Sequence, residues 1–99
     1  MNISSIFVEF VGTFIFVSTI LAVTRFPNDG KLSLAALPIG IVLTGLIFWA
    51  ATTSGGHFNP AVTIAVLLKQ AGSDPTLYCY LIAQCLAGYL AYAIPLGKM

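Results

Sequence analysis

Residues 54 to 63 read SGGHFNPAVT, a polar, glycine-rich stretch between two long apolar runs. Paired glycines and an Asn-Pro step are typical of irregular backbone and helix starts rather than of a continuous apolar helix. Asn59 suits the N-cap of a helix, and Pro60 suits its first position. The stretch therefore predicts an irregular segment that ends where a new helix begins.

The composition of the chain indicates an integral, multi-pass membrane protein. Of its 99 residues, 59% are hydrophobic and 7% are charged, whereas a typical soluble domain carries about 25% charged residues. The net charge of +1 provides no basic surface for nucleic acid. Cys79 and Cys85 form no C-x-x-C pattern, and no nucleophile and base are paired in the sequence. We therefore expect neither an enzyme nor a cofactor or metal site.

Three apolar runs are long enough to cross a membrane, since about 20 helical residues span the roughly 30 Å of hydrocarbon. The segment between the second and third runs holds the quoted stretch and an apolar helix of about 16 Å, half of that thickness. We predict an all-α membrane protein whose single domain, residues 1–99, has three transmembrane helices and one re-entrant half-helix. Its predicted parts are transmembrane helices 3–23, 33–53 and 76–95, and a re-entrant loop and half-helix 54–70.

The half-helix could instead be an amphipathic surface helix, but its residues are apolar nearly all round, which favours burial.

Irregular backbone at membrane depth is tolerated only inside protein or beside a water-filled cavity. There the carbonyls of Gly55, Gly56, His57 and Phe58 would form a ladder of acceptors. The helix N-terminus would add partial positive charge, and Asn59 an amide donor. Such a path suits neutral hydrogen-bonding solutes and opposes protons and cations.

The quoted stretch resembles the first signature loop of the major intrinsic proteins, the family of aquaporins and aquaglyceroporins. Residues 9–14, EFVGTF, resemble the E-x-x-G-T-F pattern of that family's first helix, and residues 80–84, YLIAQ, resemble the Y-x-x-A-Q of its third. The predicted order of span, span, half-helix and span is also that of one half, one inverted repeat, of the aquaporin fold.

The resemblance implies roles for the matching positions of the signature loop. Asn59 would be the donor at the pore centre, with Pro60 and Ala61 capping and packing the tip of the half-helix. Gly56 and His57 would belong to the acceptor ladder.

The resemblance also implies roles outside the loop. Glu9 and Gln84 would brace the loop from within the bundle. Ile39 would line the selectivity filter, at a position that is aromatic in many water and glycerol channels. An isoleucine there departs from the pattern and implies a wider or less polar constriction.

The position of the third span gives a separate expectation for two aromatic residues. Tyr78 and Tyr80 lie near the start of this span, where an aromatic belt at the membrane interface is expected.

The family fold has two inverted halves, and this sequence contains one Asn-Pro-Ala loop. We expect either a second half from another copy or another chain, with assembly into higher oligomers, or a fragment of a longer channel. Of the basic residues, Lys69 lies on the same side of the membrane as the N-terminus, and Arg25, Lys31 and Lys98 lie on the other side. This weak bias is compatible with an antiparallel homodimer.

The predicted function is a passive channel for water or small neutral solutes such as glycerol. A non-conducting remnant or partner subunit, and a small proton-coupled transporter using Glu9, are the alternatives.

Overall fold

The computed structural model describes residues 2–24, 32–94 and 96, except for the side chains of residues 32–35. In this part of the chain the regular structure is helical, which confirms the all-α prediction there. The helices in chain order are α1 Ile3–Thr24, α2 Leu32–Ala50, α3 Pro60–Lys69 and α4 Pro75–Ala93. Pro95, the predicted end of the third span, and the charges Arg25, Lys31 and Lys98 lie outside the described residues.

Helix α2 ends at Ala50, three residues before the predicted end of the second span at Thr53. The buried carbonyl of Ala50 accepts the N–H groups of Thr53, Ser54 and Gly55 at 3.0, 2.9 and 3.2 Å. These bonds wind the chain into a tight turn at the end of the helix. Gly55 and Gly56 follow with φ angles of +90° and +66°, a region that glycine reaches without steric cost. The turn and the two glycines together take the chain out of the helical direction.

Helix α3 begins at the position that the Asn-Pro step predicts. The Asn59 side chain accepts the N–H of Ala61 at 2.8 Å, and Pro60 is the first helical residue. At the other end, the N–H of Gly72 returns to the carbonyl of Leu67 at 2.7 Å, with Gly72 at φ +68°. Ten residues give a helix of about 15 Å, half of a bilayer's hydrocarbon thickness.

Helix α1 lies at the centre of the packing, against both α2 and α4, while α3 packs against α4. One apolar cluster joins α2 to the loop through Leu46, Ala50 and Phe58. A second joins α3 to α4 through Leu67, Leu77 and Tyr80. The interior also contains polar side chains, all of them buried: Ser5, Glu9, Thr13, Ser54, Thr63 and Gln84.

The outer surface carries large apolar side chains. Phe48, Leu68 and Tyr92 are 82%, 75% and 74% exposed. A chain with polar groups inside and apolar groups outside reverses the arrangement of a soluble domain. Helices α1 and α4 are each long and apolar enough to cross a membrane.

Candidate functional site: the loop before helix α3

The carboxylate of Glu9, on α1, is the centre of the site. Glu9 is fully buried, and its two oxygens accept four hydrogen bonds. Oε2 accepts from Ser54 Oγ at 2.7 Å and from the His57 N–H at 3.0 Å. Oε1 accepts from the Phe58 N–H at 2.8 Å and from Gln84 Nε2 at 2.9 Å. A buried carboxylate is tolerated only with such donors. Because these donors come from the loop and from α4, Glu9 links both of them to α1.

Gln84, on α4, extends this network to α3. The same Nε2 atom that donates to Glu9 also donates to Thr63 Oγ1 at 2.8 Å. Thr63 Oγ1 lies 2.9 Å from Nδ1 of His57. Both Gln84 and Thr63 are buried, so the network is shielded from solvent. A continuous chain of hydrogen bonds thus runs from the Glu9 carboxylate to the His57 ring.

Tyr80 is a site residue whose position the sequence analysis placed wrongly. Its side chain is 4% exposed, and its hydroxyl donates to the carbonyl of Ser54 at 2.8 Å. Its ring meets the His57 ring edge to face, with centroids 5.4 Å apart and planes at 72°. Tyr80 therefore supports the loop and does not belong to an aromatic belt. The available signal was its spacing of four residues from Gln84, which puts both on one helix face.

Gly12 is a second residue whose role the sequence analysis missed. A Cβ atom at Gly12 would lie 2.1 Å from Cε1 of Phe58, so the ring rests directly on α1 where Gly12 has no side chain. Phe58 is 2% exposed and has a φ of +51°, a strained value for a bulky residue. Glu9 and Gly12 are one helical turn apart and share a face. One face of α1 therefore holds both the N–H and the ring of Phe58.

The carbonyl groups of the loop, residues 55–58, differ from its N–H groups in their hydrogen bonding. While Glu9 takes the N–H groups of His57 and Phe58, the hydrogen bonds of the described residues include none to the carbonyl oxygens of residues 55–58. Gly56 lies close to α2, since a Cβ there would be 3.4 Å from the Cα of Ile47. The loop thus has its donors bound inside the bundle, while its four carbonyls receive no hydrogen bond from the residues that the structure describes.

The residues after the loop face outward. Asn59 and Ala61 are exposed and Pro60 is half-buried. Because Asn59 Oδ1 accepts the Ala61 N–H, its amide nitrogen remains as a donor beside the start of α3.

The structure does not bring Ile39 to the loop. It is half-buried in α2 and lies eight residues before Ile47. That separation is about 12 Å along the helix axis.

Comparison with known proteins identifies the family. The family model described as "Major intrinsic protein" matches residues 2–97. The chain belongs to the major intrinsic protein family. Residues 9–14 and 80–84, which carry the resemblance to this family, include Glu9, Gly12, Tyr80 and Gln84. The first three contact the loop directly, and Gln84 bonds to Glu9 and to Thr63 at the end of the quoted stretch.

Several aquaporins are similar to this member of the family. Aquaporin-8 from Mus musculus is 37% identical over 89 residues, 88% of this chain and 34% of the relative. Aquaporin PIP1-6 from Zea mays is 35% identical over 85 residues, 79% of this chain and 29% of the relative. Probable aquaporin PIP1-4 from Arabidopsis thaliana is 33% identical over 96 residues, which are 90% of this chain and 33% of the relative. The chain spans about a third of the length of these relatives. No solved structure matches it.

Proposed function

We propose that this chain forms one half of a passive transmembrane channel for water and other small neutral solutes, glycerol among them. One observation carries the proposal. Between residues 55 and 58 the N–H groups of His57 and Phe58 are held inside the bundle, whereas no donor among the described residues bonds to the carbonyls. A row of unpaired acceptors at membrane depth is stable only beside water or another donor. The loop is therefore suited to pass hydrogen-bonding molecules from one carbonyl to the next.

The proposed membrane placement follows from helix lengths and from the apolar surface. Helices α1 and α4 meet the length and composition of membrane spans. Helix α2 has 19 residues and no charged side chain, which corresponds to about 28 Å, and we assign it as the third span. Helix α3, half as long, would start near the bilayer midplane. The chain would then be an integral protein of the cell membrane with several spans.

The electrostatics of the loop favour neutral solutes. The N-terminus of α3 carries partial positive charge. The Asn59 amide nitrogen adds hydrogen-bond donors beside it, since Oδ1 already accepts the Ala61 N–H. A cation or an excess proton that follows the carbonyls would meet this positive end, which opposes its passage. A water or glycerol molecule can accept a hydrogen bond from Asn59 through its oxygen while its O–H groups donate to the loop carbonyls. Ile39, as an apolar lining of the filter, would favour a wider path than an aromatic residue.

The proposed pore requires a second half. The apolar side chains Val62, Ile64 and Leu68 of α3 are 42%, 48% and 75% exposed, so one side of the half-helix is open to a partner. A second copy in inverted orientation, or a second repeat from another chain or the same longer protein, would cover it. Higher oligomers of such pairs are part of the same proposal.

The first experiment measures water and glycerol flux. The purified chain is reconstituted in liposomes, and shrinkage after osmotic shock is followed by stopped-flow light scattering with and without glycerol. The test variant is Asn59→Asp. Because aspartate caps a helix as well as asparagine does, this change keeps α3 and replaces a donor with a negative charge. We expect fast equilibration that falls to the rate of empty liposomes in Asn59→Asp.

Two outcomes would contradict the proposal. Inserted wild-type chain that equilibrates no faster than empty liposomes would indicate a non-conducting subunit. Solute flux that follows an imposed proton gradient would indicate a coupled transporter acting through Glu9. The structure favours a supporting role for Glu9, since it is fully buried and both of its oxygens are occupied by donors.

The source of the second half is tested separately, by the orientation of the chain. Reporter fusions at each terminus, expressed separately in cells, show on which side of the membrane each end lies. An antiparallel homodimer requires both orientations in comparable amounts. A single fixed orientation rules out that dimer and leaves a second repeat as the source.

A further inference from the structure

We infer that Thr63 holds the ring of His57 in one neutral tautomer, with the ring proton on Nε2, and thereby presents a hydrogen-bond donor beside the loop carbonyls. Thr63 is in this sense a positioning residue that acts through His57. The tautomer follows from the order of donors and acceptors in the buried network. The consequence for permeation rests on the proposed function, whereas the tautomer itself does not.

The first step is the orientation of the Gln84 side chain. Glu9 accepts from Ser54 and from two loop N–H groups, so its carboxylate acts as an acceptor throughout. The terminal atom of Gln84 that lies 2.9 Å from Glu9 Oε1 must therefore be the amino nitrogen. The opposite amide orientation would place two acceptor oxygens against each other in a buried site, which is unfavourable.

The second step concerns the hydroxyl of Thr63. The same Gln84 nitrogen lies 2.8 Å from Thr63 Oγ1, and an amide nitrogen only donates, so Thr63 accepts this bond. The Thr63 proton then needs an acceptor. Helical threonines often donate to the carbonyl four residues earlier, as Thr19 and Thr24 do here. The hydrogen bonds of the described residues include none from the Thr63 hydroxyl to the corresponding carbonyl, that of Asn59. In the described part of the chain, the remaining partner of the Thr63 hydroxyl is Nδ1 of His57 at 2.9 Å.

The third step follows for the imidazole. A neutral imidazole carries its proton on one nitrogen and accepts through the other, and the partner of one nitrogen decides which form is present. If Nδ1 accepts from Thr63, the proton is on Nε2. This nitrogen lies 3.5 Å from the position that a Cβ would take on Gly55, next to the loop. The contact of the His57 ring with Tyr80 fixes its plane.

The expected consequence is a second donor near the acceptor ladder, in addition to the Asn59 amide. A permeating molecule would need an oxygen that can accept from Nε2–H as well as hydroxyls that donate to carbonyls. Water and polyols meet both conditions. With the proton on Nδ1, Nε2 would be one more acceptor, and the loop would hold such molecules less well.

Nitrogen NMR of the full chain in lipid bilayers tests the inference, because His57 is the only histidine in the sequence. Histidine labelled with ¹⁵N gives different chemical shifts for protonated and unprotonated ring nitrogens. Spectra are recorded in alkaline buffer, where the imidazole is neutral. The variants are Thr63→Val, which removes the hydroxyl at nearly constant shape, and Thr63→Ser, which keeps it. Gln84→Met, which removes the donor to Thr63, perturbs the network independently if Thr63→Val does not fold.

We expect a single Nε2–H form in the wild type and in Thr63→Ser, and both neutral forms in Thr63→Val and Gln84→Met. Water flux should fall several-fold in Thr63→Val and recover in Thr63→Ser. A wild-type spectrum with the proton on Nδ1 overturns the inference, and so does a Thr63→Val spectrum identical to the wild type. Neither result depends on flux, so the inference can fail while the proposed channel stands. Absent flux in the wild type would instead count against the proposed function alone.

Discussion

Replacing Gly12 with alanine should loosen the loop, because the added methyl group would enter the space that the Phe58 ring occupies. The new Cβ would lie 2.1, 2.6 and 2.7 Å from three ring carbons, whereas ordinary contact begins near 3.4 Å. The ring would have to retreat by more than 1 Å. Its backbone resists this movement, because the Phe58 N–H is bonded to Glu9 at 2.8 Å and the ring is 2% exposed.

The expected free-energy change is the difference between two opposing effects. Overpacking of a dense interior costs about 1–3 kcal/mol, and an overlap this deep places Gly12→Ala at the upper end. Alanine gains up to about 1 kcal/mol over glycine inside a helix. We therefore expect a net loss of about 1–2 kcal/mol. Gly88→Ala in α4 is the matched control, since nothing lies within 4 Å of its added Cβ, and it should be neutral or slightly stabilising.

The assay is reversible unfolding of the purified chain in mixed micelles, with water flux measured in parallel. A double variant, Gly12→Ala with Phe58→Ala, tests the mechanism. If the methyl group acts through the ring, the two changes should couple by at least about 1 kcal/mol, since they affect one contact. Equal stability of Gly12→Ala and Gly88→Ala would refute the reasoning, as would two changes that simply add.

Two further predictions concern the bonds that hold the loop. Glu9→Gln puts an amide nitrogen against buried donors, so it should cost at least about 2 kcal/mol and speed hydrogen exchange of the loop amides. Unchanged exchange would contradict the bracing role. Tyr80→Phe keeps the ring but removes the hydroxyl that donates to the Ser54 carbonyl, and it should cost about 1 kcal/mol in the same unfolding assay. Tyr78→Phe is its control, because Tyr78 is 50% exposed and should matter less; equal losses would contradict the argument.

The sequence by itself determined the helical class and the start of the half-helix. Low charge and long apolar runs are properties of composition, and they need no contact information to indicate a membrane protein. The cap at Asn59 and the first position at Pro60 depend on local backbone chemistry, so the start of α3 was predictable to the residue. The end of α2 was not, because Ala50 stops the helix through a turn that also serves the loop.

Only the tertiary structure decided how the loop is held. Glu9, Gln84 and Thr63 are far apart in the sequence, and which atom donates to which follows from where α1, α3 and α4 place them. The resemblance implied a bracing role for Glu9 and Gln84 but did not indicate Thr63. The prediction of an interfacial position for Tyr80 was wrong because sequence position gives membrane depth and not the direction of a side chain.

Gly12 illustrates the same limit. The sequence marks Gly12 as part of the E-x-x-G-T-F pattern but does not show what lies against it, and Gly40 and Gly45, in a similar apolar run, have added Cβ atoms that would meet nothing. Its role appears only when the Phe58 ring, 46 positions later, is seen against it. Local propensity acts over a few residues and can be read from the chain, whereas close packing depends on residues that folding brings together.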